Sequence, residues 1–190
     1  KKEFQRKLDL AKNRMYCNYA FYFGATADNA HELADLKNLE GCCGIKLFAG
    51  SSTGNLLVAD EKDIETVFKN SSKVVAVHSE DEAILGVNKK LIKKGDVHSH
   101  PIWRSEECAI SSTRRIVRIA ERYNKKAHVL HITTKQEIDF LSQHKGNITF
   151  EITPQHLTIY APDCYDKLGT YAQMNPPIRD KSHYDRLWYA

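Results

Sequence analysis

The amino-acid sequence predicts an α/β fold built on parallel strands. Short apolar runs rich in β-branched residues alternate with amphipathic runs of helical periodicity along the 190 residues. Five such apolar runs occur, most of them bounded by glycine, proline or polar residues. Parallel strands that helices cover on both faces are short, apolar and rich in β-branched residues. The pattern therefore indicates either a doubly wound sheet or a (β/α) barrel.

The predicted elements alternate in order along the chain. Strands are expected at 15–25, 41–50, 73–79, 127–133 and 147–153. Helices are expected at 2–13, 27–39, 60–70, 80–94, 105–125 and 134–144. The first helix has an apolar stripe of Phe4, Leu8 and Ala11, and Asp28 or Asn29 is expected to cap the second. A long loop that includes NPPIR at 175–179 follows the last strand, and another helix begins within 179–190.

Composition restricts the class of protein. Apolar residues make up 42% and charged residues 27% of the chain, as in a globular protein, and residues 1–190 form one unit. The net charge of +4 comes from scattered basic residues, so we expect no nucleic-acid partner, although a small anionic substrate would suit it. We expect neither a signal peptide nor a membrane-spanning run.

The cysteines indicate a reducing compartment. Their number is odd, two of them are adjacent, and their spacing matches no disulfide framework. The five are Cys17, Cys42, Cys43, Cys108 and Cys164. Reduced thiols and a cytoplasmic location are therefore expected.

Polar residues stand where the predicted strands end, and barrels collect their active sites at the carboxyl ends of their strands. The residues are Lys46, His78, His131 and Glu151. The two histidines have side chains that bind zinc, although a core or solvent position is the better interpretation of either one alone. Because both stand at equivalent strand ends, the pattern supports a shared pocket and a structural position equally. A lysine inside an apolar run must reach solvent, find a partner or react with carbon dioxide to form a carbamate. The spacing alone favours a lysine that points outward.

Other polar residues receive structural interpretations. The stretch 50–54 lacks the lysine of a phosphate-binding loop. His98 and His100 are read as polar residues of a loop, His31 and His144 as exposed helix residues, and His156 as a structural loop residue that could alternatively orient a ligand. Glu151 is expected to pack between helix and sheet or to pair with an arginine. Arg104 and Arg179 are candidates for contacts to a carboxylate, although a surface position is the commoner outcome.

Several motifs together resemble the dihydroorotase family, in the cyclic amidase group of the amidohydrolase superfamily. They are GIKLFAGSSTGNLLV, AVHSEDE, HPIWRSEECAISS, AHVLHIT, EITPQHL and MNPPIR. They stand in the family's order and at its separations from about residue 15 to the end of the chain. Each motif alone is weak, but the combination is specific.

The resemblance implies an incomplete TIM-type (β/α) barrel whose five strand–helix units correspond to strands three to seven of eight. It implies two zinc ions per complete site, with Lys46 as a carbamate between them and His78 and His131 as ligands of the second ion. Asn175 of MNPPIR would contact the substrate. The activity implied is the reversible hydrolysis of L-dihydroorotate to N-carbamoyl-L-aspartate in pyrimidine biosynthesis.

Parts of the family pattern have no counterpart in these residues. The His-x-His pair of strand one and the catalytic aspartate of strand eight are missing, so no catalytic residue is assigned and catalysis by residues 1–190 alone is not expected. Two alternatives remain open: a truncated, non-catalytic fragment, and a cyclic amidase of the hydantoinase or allantoinase type. The apolar edge strands at 15–25 and 147–153 predict self-association.

Overall fold

The strands form a single parallel sheet whose spatial order is the order along the chain. This description comes from a computed structural model that covers residues 1–50 and 55–190. The strands are β1 (Phe21–Gly24), β2 (Cys42–Phe48), β3 (Val75–His78), β4 (Ala127–Val129) and β5 (Ile148–Phe150). Every neighbouring pair is parallel, which confirms the predicted α/β class and fits a partial barrel.

Helices follow the strands and return the chain to the start of the sheet. They are α1 (Lys2–Ala11), α2 (Glu61–Asn70), α3 (Glu82–Asn88), α4 (Ser99–Trp103), α5 (Glu106–Arg122), α6 (Lys135–Leu141), α7 (Pro154–Thr158), α8 (Asp163–Leu168) and α9 (Lys181–Leu187). Short 3₁₀ helices span Ala30–Asn38, Lys89–Leu91 and Gly169–Ala172. None of the helices among the described residues is long and apolar enough to cross a membrane.

Capping side chains determine where several helices begin. The carboxylate of Asp60 accepts a hydrogen bond from a backbone N–H in the first turn of α2, and Asp81 accepts two such bonds at the start of α3. Thr134 and Glu137 form a reciprocal capping box at α6. These bonds satisfy donors that the helix itself leaves free, which typically stabilises the helix by about 1 kcal/mol.

The two faces of the sheet differ, which corrects the expectation of strands that are apolar on both faces. Side chains alternate along a strand, so one face carries the fully buried core that packs under the helices. That core includes Ile45, Leu47, Val75, Val77, Ala127 and Val129. The opposite face carries Tyr22, Lys46, Phe48, His78, His128 and Thr149. This polar and aromatic face corresponds to the inside of a barrel.

The structure shortens or changes several predicted elements. The strand expected at 15–25 is confined to Phe21–Gly24, and the helix expected at 27–39 is a 3₁₀ helix. Asn29 does not cap that helix through its side chain, which instead accepts a hydrogen bond from the backbone of Thr26. The predicted loop after β5 contains α7 and α8. Most of the stretch 50–54 lies outside the described residues.

Candidate metal centre

The carboxyl ends of β2 and β3 pack closely where the candidate ligands lie. A Cβ atom added to Gly50 would come within 2.2 Å of the carbonyl oxygen of Glu80. Only glycine therefore fits at this position, directly beside the segment that follows His78. The sequence GIKLFAG places this residue at the end of β2, so the glycine allows the two strand ends to approach each other.

His78 and His131 face each other across adjacent strands. The Nδ1 atom of His78 lies 3.1 Å from the Nε2 atom of His131. His78 is the last residue of β3, whereas His131 lies two residues beyond the end of β4 rather than at its last position. The φ angle of His131 is 41°, an unusual conformation for a residue with a side chain. The chain therefore leaves the strand geometry at the residue that meets His78.

Glu80 determines which nitrogen of His78 faces its partner. The Nε2 atom of His78 lies 2.8 Å from the carboxylate of Glu80. An ionised carboxylate only accepts hydrogen bonds, so Nε2 of His78 is the donor of this bond and carries a proton. The Nδ1 atom on the other side of the ring faces Nε2 of His131 and is the atom that can offer a lone pair to a metal ion. Histidines that bind metals commonly donate their other N–H to a carboxylate in this way.

Arg104 holds the Glu80 carboxylate in its ionised form. Glu80 is completely buried, which by itself raises its pKa, but the hydrogen bond from His78 and the charge of Arg104 outweigh burial and lower that pKa. The Nη1 atom of Arg104 donates to Oε2 of Glu80, and its guanidinium lies over the Trp103 ring. Arg104 is thus buried and paired within the protein, which corrects the expectation of a surface arginine.

Sequence reasoning missed Glu80. The signal was present in AVHSEDE, where a carboxylate follows a candidate ligand histidine after one intervening residue. His78 and Glu80 can meet because the chain bends at the end of β3 and enters α3. Spacing alone did not show that bend.

His131 is held in its neutral form. The pKa of His131 is lowered to about 3, chiefly by burial and to a smaller extent by the nearby His78 and Lys46. A neutral imidazole is the form that binds a metal ion. Two zinc–nitrogen bonds of about 2.0–2.1 Å at a tetrahedral angle place the nitrogens about 3.3 Å apart. The observed separation of 3.1 Å is close to this value, so the two rings suit a shared zinc ion that would replace the hydrogen bond between them.

Lys46 lies on the same face of the sheet as His78 but does not bond to either histidine. Its Nζ atom lies 4.1 Å from the centre of the Phe48 ring and donates to the Leu47 carbonyl at 3.4 Å. Burial lowers the pKa of Lys46 to about 8, against the opposing effect of Glu151. A larger fraction of this amine is therefore neutral near pH 7 than of an ordinary lysine, and the neutral amine is the form that adds carbon dioxide.

The loop that carries Asn175 is held by two buried histidines. Asn175 itself is exposed. The Nε2 atom of His100 donates to the carbonyl of Met174 at 2.8 Å, and the Nε2 atom of His156 donates to that of Pro176 at 3.3 Å. The carbonyls on both sides of Asn175 are therefore fixed by side chains from α4 and α7.

These two contacts change the interpretation of both histidines. His100 lies in a helix rather than in a loop, and it is buried. His156 also lies in a helix, and burial lowers its pKa to about 4, so the ring stays neutral and accepts a hydrogen bond from the Thr153 hydroxyl at 2.6 Å. The structure does not place Asn175 in contact with His78 or His131; it places Asn175 between two restrained carbonyls.

Arg179 joins this loop to the segment before α5. It is buried, and its guanidinium donates to the carbonyls of Pro101, Arg104 and Ser105 and to the Thr133 hydroxyl. In these hydrogen bonds the guanidinium N–H groups donate to acceptors of the protein itself. Arg179 therefore has a structural role and holds the loop against the segment before α5. The expectations of a surface position and of a contact to a substrate carboxylate are both at odds with this arrangement.

Glu151 also differs from its predicted role. Its carboxylate is exposed and lies 3.4 Å from the Nε2 atom of His128, whose Nδ1 atom contacts the Thr149 hydroxyl at 2.8 Å. Glu151 thus pairs with a histidine on the inner face and not with an arginine or a helix. Its charge also raises the pKa of Lys46.

A second group of possible ligands lies between α5 and α9. Glu106, Asp180 and His183 place their donor atoms within 4.8 Å of one another. The backbone N–H of Lys135 donates to Nδ1 of His183, so Nε2 carries the proton that is shared with Glu106 at 2.8 Å. Both ring nitrogens are therefore engaged, and the cluster is explained as a contact between helices.

Comparisons with known proteins agree with this fold. No protein-family model matches the chain. A dihydroorotase of Methanosarcina mazei is 28% identical over 192 residues, which cover 94% of this chain and 41% of that protein. An allantoinase of Salmonella paratyphi B is 25% identical over 196 residues, which cover 96% of the chain and 43% of that protein.

Solved structures show the same fold. The L-hydantoinase from Arthrobacter aurescens superposes with a TM-score of 0.89 at 23% identity, over 98% of this chain and 43% of that one. The fold is therefore a partial (β/α) barrel of the kind found in amidohydrolases, and the relatives are cyclic amidohydrolases. The particular resemblance in sequence is to dihydroorotases, at 24–28% identity, which confirms the similarity expected from the motifs. The chain spans about two fifths of the length of the curated relatives that it matches.

Proposed function

We propose that this chain is part of a zinc-dependent dihydroorotase, which interconverts L-dihydroorotate and N-carbamoyl-L-aspartate. The observation that carries the proposal is the pair of facing nitrogens on His78 and His131, with Glu80 holding the remaining proton of His78. The similarity to dihydroorotases from Methanosarcina mazei and other archaeal species supports the choice of substrate.

Each of the site residues has a chemical role in the proposed reaction. A bound zinc ion would supply Lewis acidity to the amide carbonyl and would lower the pKa of a water molecule. His78 and His131 would hold the ion, and Lys46, once its neutral amine has added carbon dioxide and released a proton, would contribute an anionic ligand. Asn175 would orient the anionic substrate from the loop that His100 and His156 restrain.

A cyclic amidase of the hydantoinase or allantoinase type is the second candidate. The 25% identity to allantoinases over 96% of the chain favours it. The metal centre does not separate the two candidates, because each would use the same imidazole pair. The distinction depends on the substrate loop around Asn175. A third possibility, a fragment without catalysis, is compatible with the same comparisons.

The metal centre is tested by titrating the 190-residue chain with zinc at pH 7.5. We expect one weakly held ion that dialysis removes, since the described ligands are fewer than the four of a structural zinc site. His131→Ala should weaken binding at least tenfold. The matched control His128→Ala removes an imidazole from β4, the strand just before His131, and should leave affinity within twofold. Equal affinity of wild type and His131→Ala would reject this centre.

The substrate is tested on the complete polypeptide that carries these residues. Initial rates with L-dihydroorotate, hydantoin and allantoin would be compared at equal concentrations after zinc and bicarbonate are supplied. The proposal expects dihydroorotate to react fastest; a preference for hydantoin or allantoin would select the second candidate. A cytoplasmic location and the absence of nucleic-acid and membrane partners remain expectations from the sequence.

A further inference from the structure

A lysine-rich cavity lies at the opposite end of the sheet from the metal centre. It is open to solvent and has a volume of about 760 Å³. Its lining includes five lysines: Lys37, Lys69, Lys73, Lys125 and Lys126. They come from the segments that lead into β3 and β4 and from the ends of two helices. The sequence shows these basic residues as scattered, and only the fold brings them together.

Strand register places two of the basic segments side by side. Val75 of β3 pairs with Ala127 of β4, so the segments just before them, which carry Lys73, Lys125 and Lys126, enter the sheet side by side. Like charges at neighbouring positions of a sheet are destabilising. Helix C-termini favour nearby cations, which gives Lys37 and Lys69 a structural reason to be there. Lys125 has a similar reason, because it donates to the carbonyl of Ser71, the C-cap of α2. The helix C-termini do not account in this way for Lys73 and Lys126.

The charge in this cavity is not balanced by acids. Its lining contains no aspartate or glutamate. Across residues 1–50 and 55–190, none of the five lysines lies within 4.0 Å of a carboxylate oxygen, and Lys125 donates to the Ser71 carbonyl at 2.7 Å. Five positive charges here exceed the net +4 of the whole chain, so the rest of the molecule has almost no net charge.

We propose that this cavity binds a small molecule carrying a polyphosphate group. Lysines bind phosphate as point charges, and a concave surface with one sign of charge concentrates oppositely charged ligands. Asn70 and Asn124 line the same space, and their side-chain amides add uncharged N–H groups. The volume lies within the range of ordinary small-ligand sites. The lysines surround a concave space rather than a strip along the surface, which favours a compact anion over a nucleic-acid strand.

The test is calorimetric titration of the 190-residue chain with inorganic tripolyphosphate at 100 mM salt. We expect saturable binding at one site, with inorganic phosphate at least tenfold weaker. The triple variant Lys69→Gln/Lys73→Gln/Lys126→Gln should weaken tripolyphosphate binding at least tenfold. The matched control Lys89→Gln/Lys90→Gln/Lys93→Gln removes the same charge from an exposed segment elsewhere and should change affinity less than twofold.

Three outcomes would overturn the proposal. They are the absence of saturable binding, equal weakening in both triple variants, and tighter binding of a short oligonucleotide that the first triple variant abolishes. The last result would assign the surface to nucleic acid instead. Circular dichroism of each variant shows whether the fold is retained, and single substitutions at Lys69 and Lys126, both exposed, keep the test valid if a triple variant unfolds. The measurement does not depend on zinc or on amidohydrolase activity.

Discussion

The Nε2 atom of His78 lies 2.8 Å from Oε2 of Glu80, and this contact leaves Nδ1 of the same ring directed at His131. The carboxylate thereby keeps a proton on Nε2 of His78. Glu80→Gln should lower the zinc affinity of the chain by about 10–100-fold, because an amide no longer fixes the proton on Nε2.

Zinc competition against a chromophoric chelator measures this change. Glu107→Gln removes one negative charge from an exposed position on α5 and serves as the control. Unchanged affinity in Glu80→Gln would contradict the assignment of Nδ1 as the ligand atom.

The loop around Asn175 should depend on both buried histidines. His156→Ala removes the donor to the Pro176 carbonyl and leaves that acceptor without its partner, so amides of residues 174–180 should exchange with deuterium at least tenfold faster. His156→Gln should restore much of the protection, since its side-chain N–H can donate to the same carbonyl. Hydrogen-exchange mass spectrometry measures the effect.

The comparison variant for this loop is His144→Ala, because His144 contacts Glu121 at the surface, away from residues 174–180. Equal exchange rates in His156→Ala and His144→Ala would show that the histidine does not restrain the loop.

Lys46 should destabilise the metal-free chain at neutral pH. Its pKa is about 8 in the folded state against 10.5 for an unperturbed lysine, so between these values the unfolded chain holds more protons and stability rises with pH. Lys46→Met should therefore increase the free energy of unfolding by about 1–3 kcal/mol below pH 8. This range is smaller than the full pKa difference would give, because the side chain is partly exposed and solvent screens its charge.

Urea unfolding at pH 7 and pH 10 tests this expectation. The stabilisation by Lys46→Met should be full at pH 7 and much smaller at pH 10. Lys62→Met replaces an exposed lysine of α2 and should show little dependence on pH. A destabilised Lys46→Met variant at pH 7 would mean that the ammonium makes a favourable contact.

The edges of the sheet predict association of the 190 residues. Within the described residues, β1 and β5 each pair with only one neighbouring strand. Unpaired strand edges and the partly exposed inner face favour pairing with another chain. Sedimentation velocity should therefore show species larger than a monomer at micromolar concentration.

Charges placed on the edge strands should reduce that association. Tyr22→Lys and Thr149→Lys put a lysine on β1 and β5. Tyr171→Lys changes an exposed tyrosine in the 3₁₀ helix Gly169–Ala172 and should have no effect. A single monomeric species of the unmodified chain would refute the argument from strand pairing.

The strand–helix rhythm was predictable because burial imposes a period on the sequence. Apolar runs such as KVVAVHS identified β3, and alternation with helical segments gave the parallel sheet. The boundaries were less predictable. Residues 15–20 have the aromatic character of a strand, yet pairing with β2 begins only at Phe21, since backbone partners and not side-chain character decide where a strand starts.

The sequence by itself determined the fold class and the residue types at the strand ends, because hydrophobic periodicity and ligand chemistry are local properties. It also supplied the motifs that resemble dihydroorotases. Tertiary structure alone decided which of these residues meet. It joined His78 to Glu80 and His131, buried Arg104 and Arg179, and turned His100 and His156 toward the carbonyls around Asn175. It also gathered lysines from distant segments into one cavity. Distances of this kind depend on strand register and on turns with unusual φ angles, which no local pattern specifies.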